Sequence, residues 1–146
     1  VWLGRKIIGW KEKVSLPDLQ ISRIKAKADT GARTSALHAE NIRVHLRENG
    51  HREVTFTFYP SSDSSGIRVT CPLKENRMVK SSTGATTLRP VISTTLKIGQ
   101  FKKKIEITLI NRSIMEFKML LGRTALRQFL VDPRHSYLLT GKGKPK

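Results

Sequence analysis

Apolar and polar side chains alternate at every second position through most of this chain, so it must fold largely from short strands that are wet on one face and packed on the other. Ile42, Val44 and Leu46 alternate with Arg43, His45 and Arg47. Asn49-Gly50 then supplies a hairpin turn, and Val54, Phe56 and Phe58 return with their apolar side inward. Residues 91–98 and 101–110 read as a further hairpin around Gly99-Gln100, and residues 117–121 as another strand. One short helix fits near the C-terminus, over residues 124–129. The expected fold class is all-β, and the 146 residues, with neither internal repeats nor low-complexity segments, suit a single domain across 1–146. Within it, 1–20 reads as an N-terminal extension and 141–146 as a basic tail.

Composition limits the function classes. Cys71 is the sole cysteine, so no disulfide forms within one chain, and its place in the alternating run 67–71 turns it toward the core. No apolar stretch of about 18 residues is present to span a membrane. The first residue is Val1, which leaves a removed or trimmed leader open; a cytoplasmic site is the favoured expectation. Twenty-eight Lys and Arg against 11 Asp and Glu give a net charge of +17. Such a field attracts acidic peptide, nucleic acid or anionic membrane, or simply forms a solvated basic surface.

Chemistry enters at Asp29-Thr30-Gly31-Ala32, which follows the alternating run Ile24-Lys25-Ala26-Lys27-Ala28. A strand there delivers a carboxylate into a cleft, and the small residues after it let backbone amides approach and hydrogen-bond it. This reads as half of an aspartic-peptidase site; the same residues also suit a polar turn. A second element, Met119-Leu120-Leu121-Gly122-Arg123, decides between the two. Between them, residues 79–89 form a hairpin whose tip, Ser81-Ser82-Thr83-Gly84, is small, polar and poor in anchoring side chains, as a substrate-covering flap requires.

The tetrad followed by Leu121-Gly122-Arg123 resembles a retropepsin. The match continues through Ile8-Gly9-Trp10, Leu16-Pro17-Asp18-Leu19, residues 28–39 and Val131-Asp132-Pro133, which look like a bacterial branch named ATP-dependent zinc proteases. The resemblance implies a closed acid-protease barrel with a flap, Asp29 to Ala32 as the catalytic loop, and Leu121, Gly122 and Arg123 as its brace. Peptide hydrolysis by this route needs two aspartates sharing a proton, and no other aspartate here repeats the motif, so a homodimer must supply the second. Ala32 leaves unmade a hydrogen bond that a hydroxyl would donate to the carboxylate, which shifts the expected optimum toward neutral pH.

One departure stands out. Retroviral enzymes carry an acidic residue after the tetrad that pairs with the Arg of the Gly-Arg element; here that place holds Arg33, leaving Asp18 and Asp132 as candidate partners for Arg123. Either Arg123 finds one of these or the dimer assembles differently, with residues 1–20 supplying what is missing. Arg33 beside the loop and Arg89 in the flap favour an acidic peptide. The family's neighbourhood of ATP-grasp glutamate ligases makes a poly-glutamate tail the expected substrate. No cofactor or metal is expected: the chain has no His-Glu-x-x-His, and His38, His45, His51 and His135 share no ligand spacing with each other or Cys71. No phosphate-binding Gly-x-x-x-x-Gly-Lys-Ser/Thr run occurs either. Two other readings stand beside the peptidase: a basic barrel that binds RNA or a ribosomal surface, and a catalytically dead dimerisation scaffold.

Overall fold

The computed structural model describes residues 6–61, 64–80, 83–112 and 116–141. β1 (Lys6–Gly9) and β2 (Lys11–Leu16) lead through a 3-10 turn at Pro17–Leu19 into β3 (Ile21–Ala28). A loop carrying residues 29–34 separates β3 from β4 (Ser35–His38). β5 (Glu40–Leu46), β6 (Arg52–Phe58) and β7 (Ile67–Pro72) form an antiparallel three-stranded sheet. Then follow β8 (Glu75–Lys80), β9 (Thr86–Ile98), β10 (Phe101–Ile110), β11 (Met119–Leu121), α1 (Arg123–Leu126) and β12 (Phe129–Asp132).

Hydrogen-bonded neighbours run β10-β4-β11-β3-β2-β9, and β9 pairs back onto β10, so six strands close into a barrel while β8 extends from β9 outside the circle. Closure satisfies the backbone groups that a sheet edge would leave open. Inside lie the residues that the alternation turned inward: Val14 and Leu16, Ile24 and Ala26, Leu96 and Ile98, Ile105 and Ile107. Val54, Phe56 and Phe58 of β6 join the same core from the three-stranded sheet. The retropepsin-like, all-β barrel expected from the sequence is the fold observed.

The helix is shorter than expected, ending at Leu126 rather than Phe129. Phe129 begins β12 instead, which runs parallel to β1 in the register Lys6↔Phe129 to Gly9↔Asp132 and buries its ring against the core. Of the segment set apart as an N-terminal extension, β2 is a stave of the barrel and β1 is half of this terminal sheet.

The C-terminal segment is strapped down by one buried side chain. Glu12 is 1% exposed, and its carboxylate accepts from the backbone amides of Gly9 (2.7 Å), Leu138 (2.8 Å), Leu139 (3.2 Å) and Thr140 (2.9 Å), and from the Thr140 hydroxyl (2.6 Å). A buried carboxylate survives only with such a full set of donors. The strap also bonds the start of β2 and the residue before it, the Tyr137 amide donating to the Lys11 carbonyl and the Trp10 amide to the His135 carbonyl.

Candidate active site

Asp29 leaves the end of β3 half-buried, at the point where β3 and β11 run parallel with Ala28 opposite Leu121. Its backbone is fixed on both sides. The Asp29 amide donates to the Leu121 carbonyl (2.8 Å), and the Ala32 amide donates to the Asp29 carbonyl (3.2 Å), closing a tight turn. The Gly31 amide donates to Asp29 Oδ1 at 3.0 Å, as the small residues of the tetrad implied. One step back, the Ala28 amide donates to the Trp10 carbonyl, so the strap that holds Trp10 also holds the residue before the carboxylate.

Gly122 and Arg123 brace the loop from the other side. The Gly122 amide donates to the buried Ser35 hydroxyl (3.0 Å), the Arg123 amide to the Ala32 carbonyl (2.8 Å) and the Thr124 amide to the Arg33 carbonyl (3.1 Å). A side chain at position 122 has no room: its Cβ would lie 2.6 Å from the Thr34 carbonyl carbon and 2.9 Å from that of Arg33. Close backbone packing explains the Gly in Leu-Gly-Arg. Arg123 Nη1 donates to the Thr30 carbonyl at 3.0 Å. The candidates Asp18 and Asp132 are therefore corrected: Arg123 holds backbone, while Asp132 is engaged by Arg134 and His135. A guanidinium needs an acceptor, and a carbonyl in its own loop serves where the usual acid has become Arg33.

Arg33 and Arg89 are not brought together. Arg33 lines a cavity of about 740 Å³ with Thr34, Arg77, Lys103, Lys104 and Arg127, whereas Arg89 borders a separate cavity between β9 and Ile42 and Val44 of β5. The cation that β8 directs toward the catalytic loop is Arg77, which the sequence reading passed over. Its Nη1 reaches the Thr34 hydroxyl (3.4 Å), and its Nη2 bonds Glu75 and Glu106. Lys74 pairs with the other Glu106 oxygen at 2.7 Å. Hydrogen bonds from Lys74 and then Arg77 hold the Glu106 carboxyl below its usual range, against the opposing effect of burial. On the far wall, Lys103 donates to the Thr124 carbonyl and to Gln128, and desolvation, reinforced by the Arg127 charge, lowers its pKa. The β8–β9 hairpin ends in exposed Thr83 and Gly84, the latter at φ +90°, while Ser81 and Ser82 of the expected tip lie outside the described residues.

The histidines are dispersed. Buried His38 accepts the Arg112 amide at Nδ1 and so turns its Nε2 hydrogen toward Glu40 (3.2 Å), His45 faces Thr55, and His135 faces Asp132. Among the described residues no group of three or more His, Cys, Asp or Glu side chains gathers as a metal site. Nor is any described helix long and apolar enough to cross a membrane.

A six-strand barrel with an Asp-Thr-Gly loop braced by Leu-Gly-Arg defines a retropepsin-like protein. Residues 7–142 match the family model described as RimB-like, retropepsin-like aspartic endopeptidase RimB, and the chain belongs to that family. Among curated proteins it is 42% identical over 140 residues to a protein of Shewanella pealeana named "Probable alpha-L-glutamate ligase", covering 94% of this chain and 30% of that one. A Desulfotalea psychrophila protein of the same name is 41% identical over 134 residues, 90% of this chain and 29% of the relative. The chain thus spans about 30% of the length of these relatives. Among solved structures, a Legionella pneumophila protein of unknown function (DUF785) superimposes with a TM-score of 0.75 at 27% identity, covering 92% of this chain and 98% of that one.

Proposed function

We propose that the chain is an aspartic endopeptidase whose active centre forms from the Asp29 carboxylates of two copies. The observation that carries this reading is the fixed carboxylate: Gly31 donates to Oδ1, while Leu121, Gly122 and Arg123 hold the loop on the opposite side. In the proposed reaction one Asp29 takes a proton from water while the other, protonated, polarises the scissile carbonyl. The tetrahedral intermediate then collapses with proton transfer to the leaving amine. Thr30 and Gly31 position the loop, Ala32 leaves the carboxylate without a hydroxyl donor, and the β8–β9 hairpin with Thr83 and Gly84 acts as the flap.

Acidic peptide is the proposed substrate. The cavity beside the loop is walled by Arg33, Arg77, Lys103, Lys104 and Arg127 against the single carboxylate of Glu106. The relatives named for ligating L-glutamate contain a region like this chain, which fits a hydrolase that acts on glutamate-rich peptide. The test is cleavage of a glutamate-rich peptide by the native chain and by Asp29→Asn. Turnover that Asp29→Asn abolishes without loss of fold supports the reading, and equal turnover by both removes Asp29 from the chemistry.

A further inference from the structure

The cavity proposed to receive acidic peptide holds a carboxylate that works against that purpose. Glu106 of β10 stands in its wall among Arg33, Arg77, Lys103, Lys104 and Arg127. A carboxylate there repels an acidic substrate and cancels a cation, so charge attraction alone gives Glu106 no place. Its partners do give it one. Glu106 Oε2 pairs with Lys74 Nζ at 2.7 Å, and Oε1 accepts from Arg77 Nη2 at 3.2 Å. The same Arg77 nitrogen bonds Glu75, and Arg77 Nη1 ends on the Thr34 hydroxyl at 3.4 Å.

These contacts fall where the fold lacks others. β8 has no strand neighbour but β9, and β9 pairs with β10 only from Val91 onward. Residues 76–80 and 86–90 therefore form a two-stranded arm beyond the barrel, paired only with each other among the described residues. Such a ribbon has little stability of its own. Burial does not fix its outer part, because Met78 and Leu88, directly opposed across the arm, are 67% and 61% exposed. Arg77 stands directly opposite Arg89, a like-charge pair that the two acids on Arg77 offset. Lys74 and Arg77 flank the first pair of the arm, so one carboxylate on the barrel grips its base at two points. Thr34 lies between Arg33, whose carbonyl accepts the Thr124 amide, and Ser35, whose hydroxyl accepts the Gly122 amide. The arm thus lands on the segment that braces Asp29.

We infer that Glu106 is a positioning residue: through Lys74 and Arg77 it sets the β8–β9 arm against the catalytic loop, with Thr34 as the point of contact. Its effect on cleavage rests on the peptidase reading; the placing of the arm does not. Arg77 acts as a strut between Glu106 and Thr34, which takes a planar fork with separate donors rather than a point charge. The cations left to meet an acidic substrate are then Arg33 and Lys104, for which no ion pair forms among the described residues, whereas Lys103 is engaged by the Thr124 carbonyl and Gln128.

Glu106→Gln and Arg77→Lys in the full chain test this by two readouts, amide hydrogen exchange and the kinetics of cleavage of a glutamate-rich peptide. Glu106→Gln makes the cavity more positive, so a role in charge alone predicts a lower KM and a raised kcat/KM. A positioning role predicts the opposite sign: kcat/KM falls, and the amides of residues 76–80 and 86–90 exchange about fivefold faster, the effect of a partly exposed ion-pair network. The amides of residues 92–98 should stay protected, which shows the barrel intact. Arg77→Lys keeps the charge but cannot span Glu106 and Thr34, so it should fail in the same way rather than rescue. A raised kcat/KM in Glu106→Gln, arm amides unchanged in both variants, or native kinetics in Arg77→Lys overturns the inference. If the native chain cleaves nothing, the peptidase reading falls and exchange alone decides on the arm.

Discussion

Replacing Glu12 by alanine removes the acceptor for four backbone amides and one hydroxyl, those of Gly9, Leu138, Leu139 and Thr140. If the strap stayed in place, five donors would be stranded at about 1–3 kcal/mol each, roughly 5–15 kcal/mol in all. That equals or exceeds the whole stability of a typical domain, so the chain will instead release residues 135–140 to water. Release limits the loss to the strap's own contacts: the hydrogen bonds of Trp10 to His135, Tyr137 to Lys11 and Lys13 to Thr140, and the packing of Leu139 on the core. At about 1 kcal/mol per bond and up to about 2 for a half-buried Leu, the expected cost is about 3–5 kcal/mol. Urea denaturation reads the loss, and amide hydrogen exchange should show Leu138, Leu139 and Thr140 unprotected in the folded variant. Peptide cleavage should fall too, because Trp10, whose carbonyl accepts the Ala28 amide, loses the bond from its own amide to the His135 carbonyl. A loss below 1 kcal/mol with those amides still protected would refute the reasoning.

Other predictions follow from single contacts. Gly122→Ala pushes a methyl into the Arg33 and Thr34 backbone and should cost about 1–3 kcal/mol by urea denaturation, with cleavage falling further than stability because the loop must shift. Glu106 and Asp132 are both held below the ordinary carboxylate range, Glu106 by hydrogen bonds from Lys74 and Arg77, and Asp132, at about 2, by the Arg134 amide and His135. Depressed carboxylates stabilise the fold above their unfolded values, so this contribution should be lost as pH falls from about 4 toward 2; a melting temperature flat across that window contradicts it. Burial, followed by the Glu53 charge, pushes the Cys71 thiol up to about 11, so alkylation at pH 8 should run about a hundredfold slower in the folded chain than in urea.

The inward faces of the barrel were legible because strand period is fixed: Val54, Phe56 and Phe58, and residues 91–98 and 101–110, paired as the alternation required. β1, β4 and β12 were not, since each is four residues long and too short for a period to show. All three also pair with strands remote in sequence, β4 with β10 and β1 with β12, which no local pattern encodes. Glu12 did carry a signal. It shares the inward phase of Val14 and Leu16, and a carboxylate at a core position announces a set of buried donors, although not which ones. At the site, the Asp29 turn followed from residue chemistry and the bracing place of Gly122 from the resemblance, while the reason for a glycine there lies in the close approach of the Arg33 and Thr34 backbone. The role of Arg77 followed from neither, because the bond to Thr34 spans 43 residues and depends on how β8 extends from the barrel.

The central claim is that one active centre needs two copies of Asp29, and subunit mixing tests it most directly. Native chain and Asp29→Asn are combined in equal amounts at fixed total concentration, allowed to exchange subunits, and assayed on a glutamate-rich peptide, with sedimentation confirming that dimers form. If both carboxylates are required, only dimers of two native chains turn over, and activity settles near one quarter of that of the undiluted native protein. Activity near one half, as from centres complete within each chain, contradicts the account.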